Sequence, residues 1–184
     1  MKTEHLIDAE LSSILLLLKE KDLLSTVKEY VRDHENILRK RHLQGASGKD
    51  IVIGYTLLMD ELIKALYKKF EQKYHPSKDC ALVAMGGYGR GELNPRSDID
   101  LMFLYRSRVT PFVKRISEKI LYILWDTGLD VGSGVRSCKE CMGLAADDLK
   151  TRTSLLDSRF LVGNRNIDDD FSNDVNKKYT DRNK

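Results

Sequence analysis

Ala81-Leu82-Val83-Ala84-Met85-Gly86-Gly87-Tyr88-Gly89-Arg90-Gly91-Glu92-Leu93-Asn94-Pro95-Arg96-Ser97-Asp98-Ile99-Asp100-Leu101 is the stretch whose reading decides the fold. Its first residues, Ala81 to Met85, form a short apolar run that suits a buried strand. The run leads directly into Gly86-Gly87, where missing side chains let backbone N–H groups approach a bound anion. After a turn at Asn94-Pro95-Arg96-Ser97, the segment Asp98 to Tyr105 begins as acid-hydrophobe-acid and then becomes apolar, as a second strand beside the first would. On a strand, residues two apart share a face, so Asp98 and Asp100 project together while Ile99 and Leu101 turn into the core.

Two carboxylates on one face suit Mg²⁺, a hard cation that takes one or two carboxylates together with phosphate oxygens. Two such ions, about 3.5–4 Å apart, can clamp the attacking and leaving oxygens of an in-line displacement. Gly86 and Gly87 are the candidate phosphate cradle. Arg90 and Arg96 flank the loop with guanidinium forks suited to phosphate oxygens, and Ser97 adds a hydroxyl donor. Glu92 reads equally as a partner for an arginine or as a substrate contact. A Gly-Gly turn or an Asp-x-Asp strand is common by itself, and the specificity lies in their order.

That order resembles the DNA polymerase β-like nucleotidyltransferase superfamily, whose signature is a glycine turn followed by Asp-hydrophobe-Asp. Within it, Ala84 to Leu93, Pro95 and Ser97-Asp98-Ile99-Asp100-Leu101 resemble the family of bifunctional uridylyltransferase/uridylyl-removing enzymes, which modify the nitrogen-signalling protein PII. The likeness continues through Ile120 to Leu129, Val131-Gly132-Ser133-Gly134-Val135-Arg136-Ser137, Glu140-Cys141 and Ser154 to Gly163. It implies transfer of UMP from UTP to a tyrosine hydroxyl of PII, with Mg²⁺ (or Mn²⁺) held by Asp98 and Asp100 and with release of pyrophosphate. It also implies a third carboxylate on a later strand, for which Asp130 in Leu129-Asp130-Val131 has the expected setting. Asp157 is the other candidate and Asp126 a more distant one. The chain departs from the family at Ser133-Gly134, where a histidine is usual. The full family enzyme also carries a hydrolase domain with a His-Asp pair and small-molecule sensing domains. This chain has four histidines, His5, His34, His42 and His75, and no such pair, so neither uridylyl-removing activity nor sensing is expected within it.

Outward from the motif, the expected fold class is α+β: a helical N-terminal part, then a polymerase β-like core whose small mixed sheet is flanked by helices. Helical spacing of apolar residues predicts helices over 6–21 and 23–42, and a third to about Lys73 that starts at a Ser47/Asp50 capping box. Pro111 to Asp126 reads as a helix ended near Gly128, with Tyr122 and Trp125 on its packed face. A third strand is expected to begin at Leu129-Asp130-Val131, and a further one around Ser158 to Leu161. The corresponding domains are 1–78 (helical), 79–163 (catalytic core) and 164–184, a polar tail with little to bury that reads as the start of a linker.

Composition limits the alternatives. Thirty-one basic residues nearly balance 28 acidic ones, a net charge of +3 that gives no argument for nucleic acid as a partner. No leader peptide or membrane-length apolar run is present, so a cytoplasmic location without membrane partners is expected. Cys80, Cys138 and Cys141 show no disulfide or zinc framework, in keeping with a reducing compartment. Two other readings stand beside the uridylyl one: adenylyl or other nucleotidyl transfer to a protein or small molecule, and a regulatory module that binds nucleotide without turnover.

Overall fold

The computed structural model describes residues 22–74 and 78–179. The helix expected over 6–21 lies outside them. Two long helices come first, α1 (Leu23–Leu43) and α2 (Gly48–Lys73). Ser47 caps α2 in a complete capping box: its hydroxyl accepts the Asp50 N–H at 3.2 Å, and the Asp50 carboxylate accepts the Ser47 N–H at 3.1 Å. Strand β1 (Ala81–Ala84), the single turn α3 (Gly86–Gly89) and strand β2 (Leu101–Tyr105) follow. Helix α4 (Pro111–Asp126) starts with proline in its first turn behind the Thr110 cap. Strand β3 (Ser133–Ser137), helices α5 (Cys138–Asp147) and α6 (Leu149–Leu156), strand β4 (Arg159–Gly163) and helix α7 (Arg165–Tyr179) complete the described chain.

The sheet order is β3-β2-β1-β4, with β1 antiparallel to both neighbours and β2 parallel to β3. The result is the expected α+β class, a mixed sheet with helices on both faces. Alternation along the strands divides the core in two. Leu82, Ala84, Leu101, Phe103 and Tyr105 pack with residues of α1, α2 and α4. Ala81, Val83, Met102 and Leu104 pack with Cys141 and Ala145 of α5, Leu155 of α6, and Ile167, Phe171 and Val175 of α7. Period-2 geometry turns successive side chains to opposite faces, and both faces here are covered.

Four local expectations are corrected. Strand β2 starts at Leu101, three residues later than expected, so Asp98 and Asp100 precede it. Residues 164–184 were expected to be a polar tail with little to bury, yet Arg165–Tyr179 is helical and buries Ile167, Phe171 and Val175 at spacing i, i+4, i+8. Strand β3 starts at Ser133, four residues later than expected, although the approach to it is still bonded to the sheet: Ile99 N–H donates to the Asp130 carbonyl at 2.8 Å and Leu101 N–H to that of Gly132 at 2.9 Å. Tyr122 and Trp125 are half exposed rather than core; their rings meet edge-on, and the Trp125 indole donates to the Val131 carbonyl at 3.2 Å.

Candidate functional site

The site begins where β1 ends. Gly86 has φ +55°, a left-handed conformation open to glycine at little cost, and this turns the chain from β1 into α3. A side-chain carbon at Gly86 would come within 3.5 Å of an Asp100 carboxylate oxygen, so the turn lies against that acid. Gly89 is pressed onto the Asp157 carbonyl oxygen, closer than any side chain would allow.

Asp98 and Asp100 stand on the approach to β2, one exposed and one half-buried, on either side of buried Ile99. Met85 N–H donates to the Asp100 carbonyl at 3.0 Å, so this approach is tied to β1 as well as to 130–132. The register Leu101 to Ser133, carried back along the same ladder, sets Asp98 opposite Asp130 and Asp100 opposite Gly132. Asp98 and Asp100 line common cavities, and Asp130 lines neither of them. A side chain at Gly132 would collide with an Asp100 carboxylate oxygen, and glycine there leaves the carboxylate room.

Neither carboxylate of the pair makes a hydrogen bond or ion pair with another described residue. Burial, and then the negative charge of Asp98, push the Asp100 carboxyl above its ordinary range, with Lys150 acting in the opposite direction. Two adjacent, uncompensated carboxylates are hard oxygen donors suited to a divalent cation. Asp130 is exposed, and among the described residues no three His, Cys, Asp or Glu side chains gather into a metal-binding group.

Two cavities meet at the pair. The first, about 790 Å³, is lined by Gly87, Arg90, Ser97, Asp98 and Asp100, and also by Lys49 from the first turn of α2. The second, about 380 Å³, opens on the other side against β3 and α6, where Arg136, Lys150 and Ser154 join Asp98 and Asp100. Lys49, Lys150 and Ser154 were not among the sequence-predicted residues; only the fold brings them to the motif.

The expected phosphate ligands are thus partly assembled. Gly87, Arg90 and Ser97 share the first cavity, and Gly86 lies against Asp100. The Arg90 guanidinium is already held, donating to Glu92 at 3.0 Å and to Asp157 at 2.6 Å. Arg96 lines a separate cavity with Arg39, His42 and Tyr55 and touches neither space beside the aspartates. Cys141 is buried, its thiol pushed up to about 12 by that burial, so it is a packing residue.

A third arginine sets the turn. Arg159 of β4 donates to both oxygens of buried Asp60 on α2, at 2.7 and 3.0 Å, and to the carbonyls of Gly89 and Tyr88 at 3.2 and 3.1 Å. Its guanidinium also lies over the Tyr88 ring, 5.5 Å from the centroid. Helix α2, turn α3 and strand β4 are joined at this one side chain.

A family model described as GlnE: Glutamate-ammonia ligase adenylyltransferase matches residues 48–124, from the start of α2 into the last turn of α4. A protein named bifunctional uridylyltransferase/uridylyl-removing enzyme from Erythrobacter litoralis is 35% identical over 155 residues, 80% of this chain and 17% of that protein. One of the same name from Rhodospirillum rubrum is 37% identical over 150 residues, 78% of this chain and 16% of that protein. This chain carries a nucleotidyltransferase domain. It spans about a sixth of the length of the two curated relatives. Among solved structures, a toxin-antitoxin with AMP-PNP overlaps at TM-score 0.40 with 17% identity, covering 64% of this chain and 86% of the other. A tri-AMPylated Shewanella oneidensis HEPN toxin in complex with MNT antitoxin gives TM-score 0.38 with 17% identity, covering 66% and 87%. Among the described residues, no helix is long and apolar enough to cross a membrane.

Proposed function

We propose that the domain transfers UMP from UTP to a tyrosine hydroxyl of a PII-type signalling protein, with release of pyrophosphate. The observation that carries the reading is the uncompensated Asp98–Asp100 pair standing between two cavities, one of which is lined by the glycine turn. The choice of uridylyl donor and PII acceptor rests on the names of the two relatives.

Asp98 and Asp100 would hold Mg²⁺ or Mn²⁺. When bound, the cation supplies charge neutralisation for the triphosphate and for the oxygens entering and leaving phosphorus. Gly86 and Gly87 keep side chains away from the phosphates, and Ser97 offers a hydroxyl at the same wall. Lys49 adds a cation from α2. Arg90 reaches phosphate by exchanging its Glu92 or Asp157 contact for a phosphate oxygen. The phenolic oxygen forms its bond to the α-phosphorus as the bond from that phosphorus to the pyrophosphate oxygen breaks. The electron pair leaves with pyrophosphate, and the phenolic proton passes to a base. Asp130, whose carbonyl accepts the Ile99 N–H between the two aspartates, is the third carboxylate of this scheme.

A second reading, adenylyl transfer, is favoured by the adenylyltransferase description of the matching family model. Label transfer from a panel of four α-labelled nucleoside triphosphates to purified PII protein, with Mg²⁺, separates the two. Transfer from UTP is expected, with loss of at least about a thousandfold in Asp98→Asn and Asp100→Asn, as for removal of a group acting on the transition state. Preference for ATP selects the adenylyl reading, and asparagine variants as active as the parent refute the role given to the pair.

A further inference from the structure

We infer that the cavity between β3 and α6 is the acceptor site, shaped for a phenolic ring presented by a segment with acidic flanks. The inference rests on the proposed transfer reading, and it adds where the acceptor enters and what recognises it.

In an in-line displacement the attacking and leaving oxygens lie on opposite sides of phosphorus. Gly87, Arg90, Ser97 and Lys49, the groups suited to the departing phosphates, all line the first cavity, and none of them lines the second. Both cavities share Asp98 and Asp100. A nucleophile approaching opposite the leaving group therefore comes through the second cavity.

Its lining fits an aromatic side chain. Met85, Met102 and Leu155 form an apolar floor, each no more than 6% exposed. Methionine sulfur packs well against aromatic rings, and these side chains offer no polar atom that a ring would leave unpaired. Gly134 keeps this floor accessible, because a side-chain carbon there would lie 2.9 Å from the Met102 sulfur. The rim is of a different character. Arg136 and Lys150 line it and make no ion pair with another described residue, so two cations face the entering segment. Acidic residues flanking the acceptor tyrosine would meet them with complementary charge.

The test needs a probe that does not depend on the identity of the acceptor protein. With Mg²⁺ and a non-hydrolysable UTP analogue bound, N-acetyltyrosinamide is followed by saturation-transfer NMR against the full chain. Binding is expected in the parent and in Ile53→Trp, which crowds the first cavity, and is expected to vanish in Thr151→Trp, which fills the second. Analogue affinity is expected to hold in Thr151→Trp and to fall in Ile53→Trp. Probe binding that survives Thr151→Trp, that disappears in Ile53→Trp, or that is absent from the parent overturns the inference. Loss of analogue affinity in Thr151→Trp does the same by assigning the cavity to the donor. Should Thr151→Trp melt early, Ser133→Trp closes the mouth of the same cavity from the exposed edge of β3. For transfer itself, Lys150→Ala and Arg136→Ala are expected to raise the KM for an acidic-flanked acceptor about tenfold each while the KM for UTP stays put. The opposite split refutes the assignment. Failure of the parent to label PII while tyrosinamide still binds removes PII as acceptor and leaves the cavity assignment standing.

Discussion

Two pairs of acids flank the Gly86–Gly89 turn, and they are treated in opposite ways. Asp60 and Glu61 on α2 are buried, and Asp60 receives both prongs of Arg159 as well as Lys64 at 3.7 Å. Asp98 and Asp100 lie in the open site with no hydrogen bond or ion pair from another described residue. A buried carboxylate without a partner would be costly, so the first pair is neutralised from within the chain. The second pair is left open, one acid exposed and the other half-buried. An acid that is satisfied by its neighbours holds the turn in place, and the proposed function draws on the acids left wanting. The difference lies in the partners the fold brings, since both pairs are carboxylates close in sequence.

The sharpest way to break this comparison is to remove the cation from the satisfied pair. Arg159→Met leaves buried Asp60 with Lys64 alone, at 3.7 Å, and withdraws the donors to the Tyr88 and Gly89 carbonyls. A cost of about 3 kcal/mol is expected in urea unfolding, in the range for breaking a largely buried ion pair. Adding Asp60→Asn to that variant removes the stranded charge and is expected to recover part of the loss, the non-additivity of residues in contact. Simple additivity would mean that the two side chains do not act as a unit and that the turn is held by something else.

A smaller effect is expected on the unsatisfied side. Gly132→Ala places a methyl group against an Asp100 carboxylate oxygen, and the carboxylate, being the free end of a side chain, can swing aside. Turnover is expected to fall on the order of tenfold to a hundredfold through misplacement of one carboxylate, with the melting temperature nearly unchanged. A variant of unaltered activity would show that the position of Asp100 is not critical. A variant that unfolds would show that Gly132 serves packing alone.

The comparison also explains what could be read from the chain and what could not. The motif around the open pair was legible because its determinants are local: a glycine turn and an Asp-Ile-Asp triplet within a few residues, followed by an apolar strand. The Ser47 capping box and the Pro111 start of α4 were legible for the same reason. Arg159 meets Asp60 across 99 positions, and Lys150 comes to the aspartates only because α6 folds over the sheet. No local pattern encodes such contacts. Helix α7 was missed for another cause. Its apolar residues are few among Asn, Asp and Lys, so composition suggested a tail, whereas the Ile167, Phe171, Val175 spacing was the signal of one buried face. Arg96 illustrates the converse. Adjacent to the motif in sequence, it is turned by the Asn94–Ser97 loop toward α1 and α2.

Glu61 tests how complete the satisfaction of the buried pair is. One of its carboxylate oxygens is buried without a hydrogen-bond partner, while the other meets Lys64 at 3.4 Å. Burial pushes its carboxyl above the ordinary range, Lys64 opposing the shift. The folded state therefore holds this proton more tightly than the unfolded state does. The stability so gained is complete below the ordinary carboxyl range and is lost as the pH rises through the raised folded value, leaving the ionised group a net cost near neutrality. Glu61→Gln removes that cost and keeps a polar head that can bond on both sides. At neutral pH a gain of at most about 1 kcal/mol is expected, shrinking as the pH is lowered into the ordinary carboxyl range. A loss of stability at neutral pH would instead mean that the Lys64 contact outweighs the buried oxygen, which would place Glu61 with Asp60 as fully satisfied and leave Asp98 and Asp100 as the only uncompensated acid pair beside the turn.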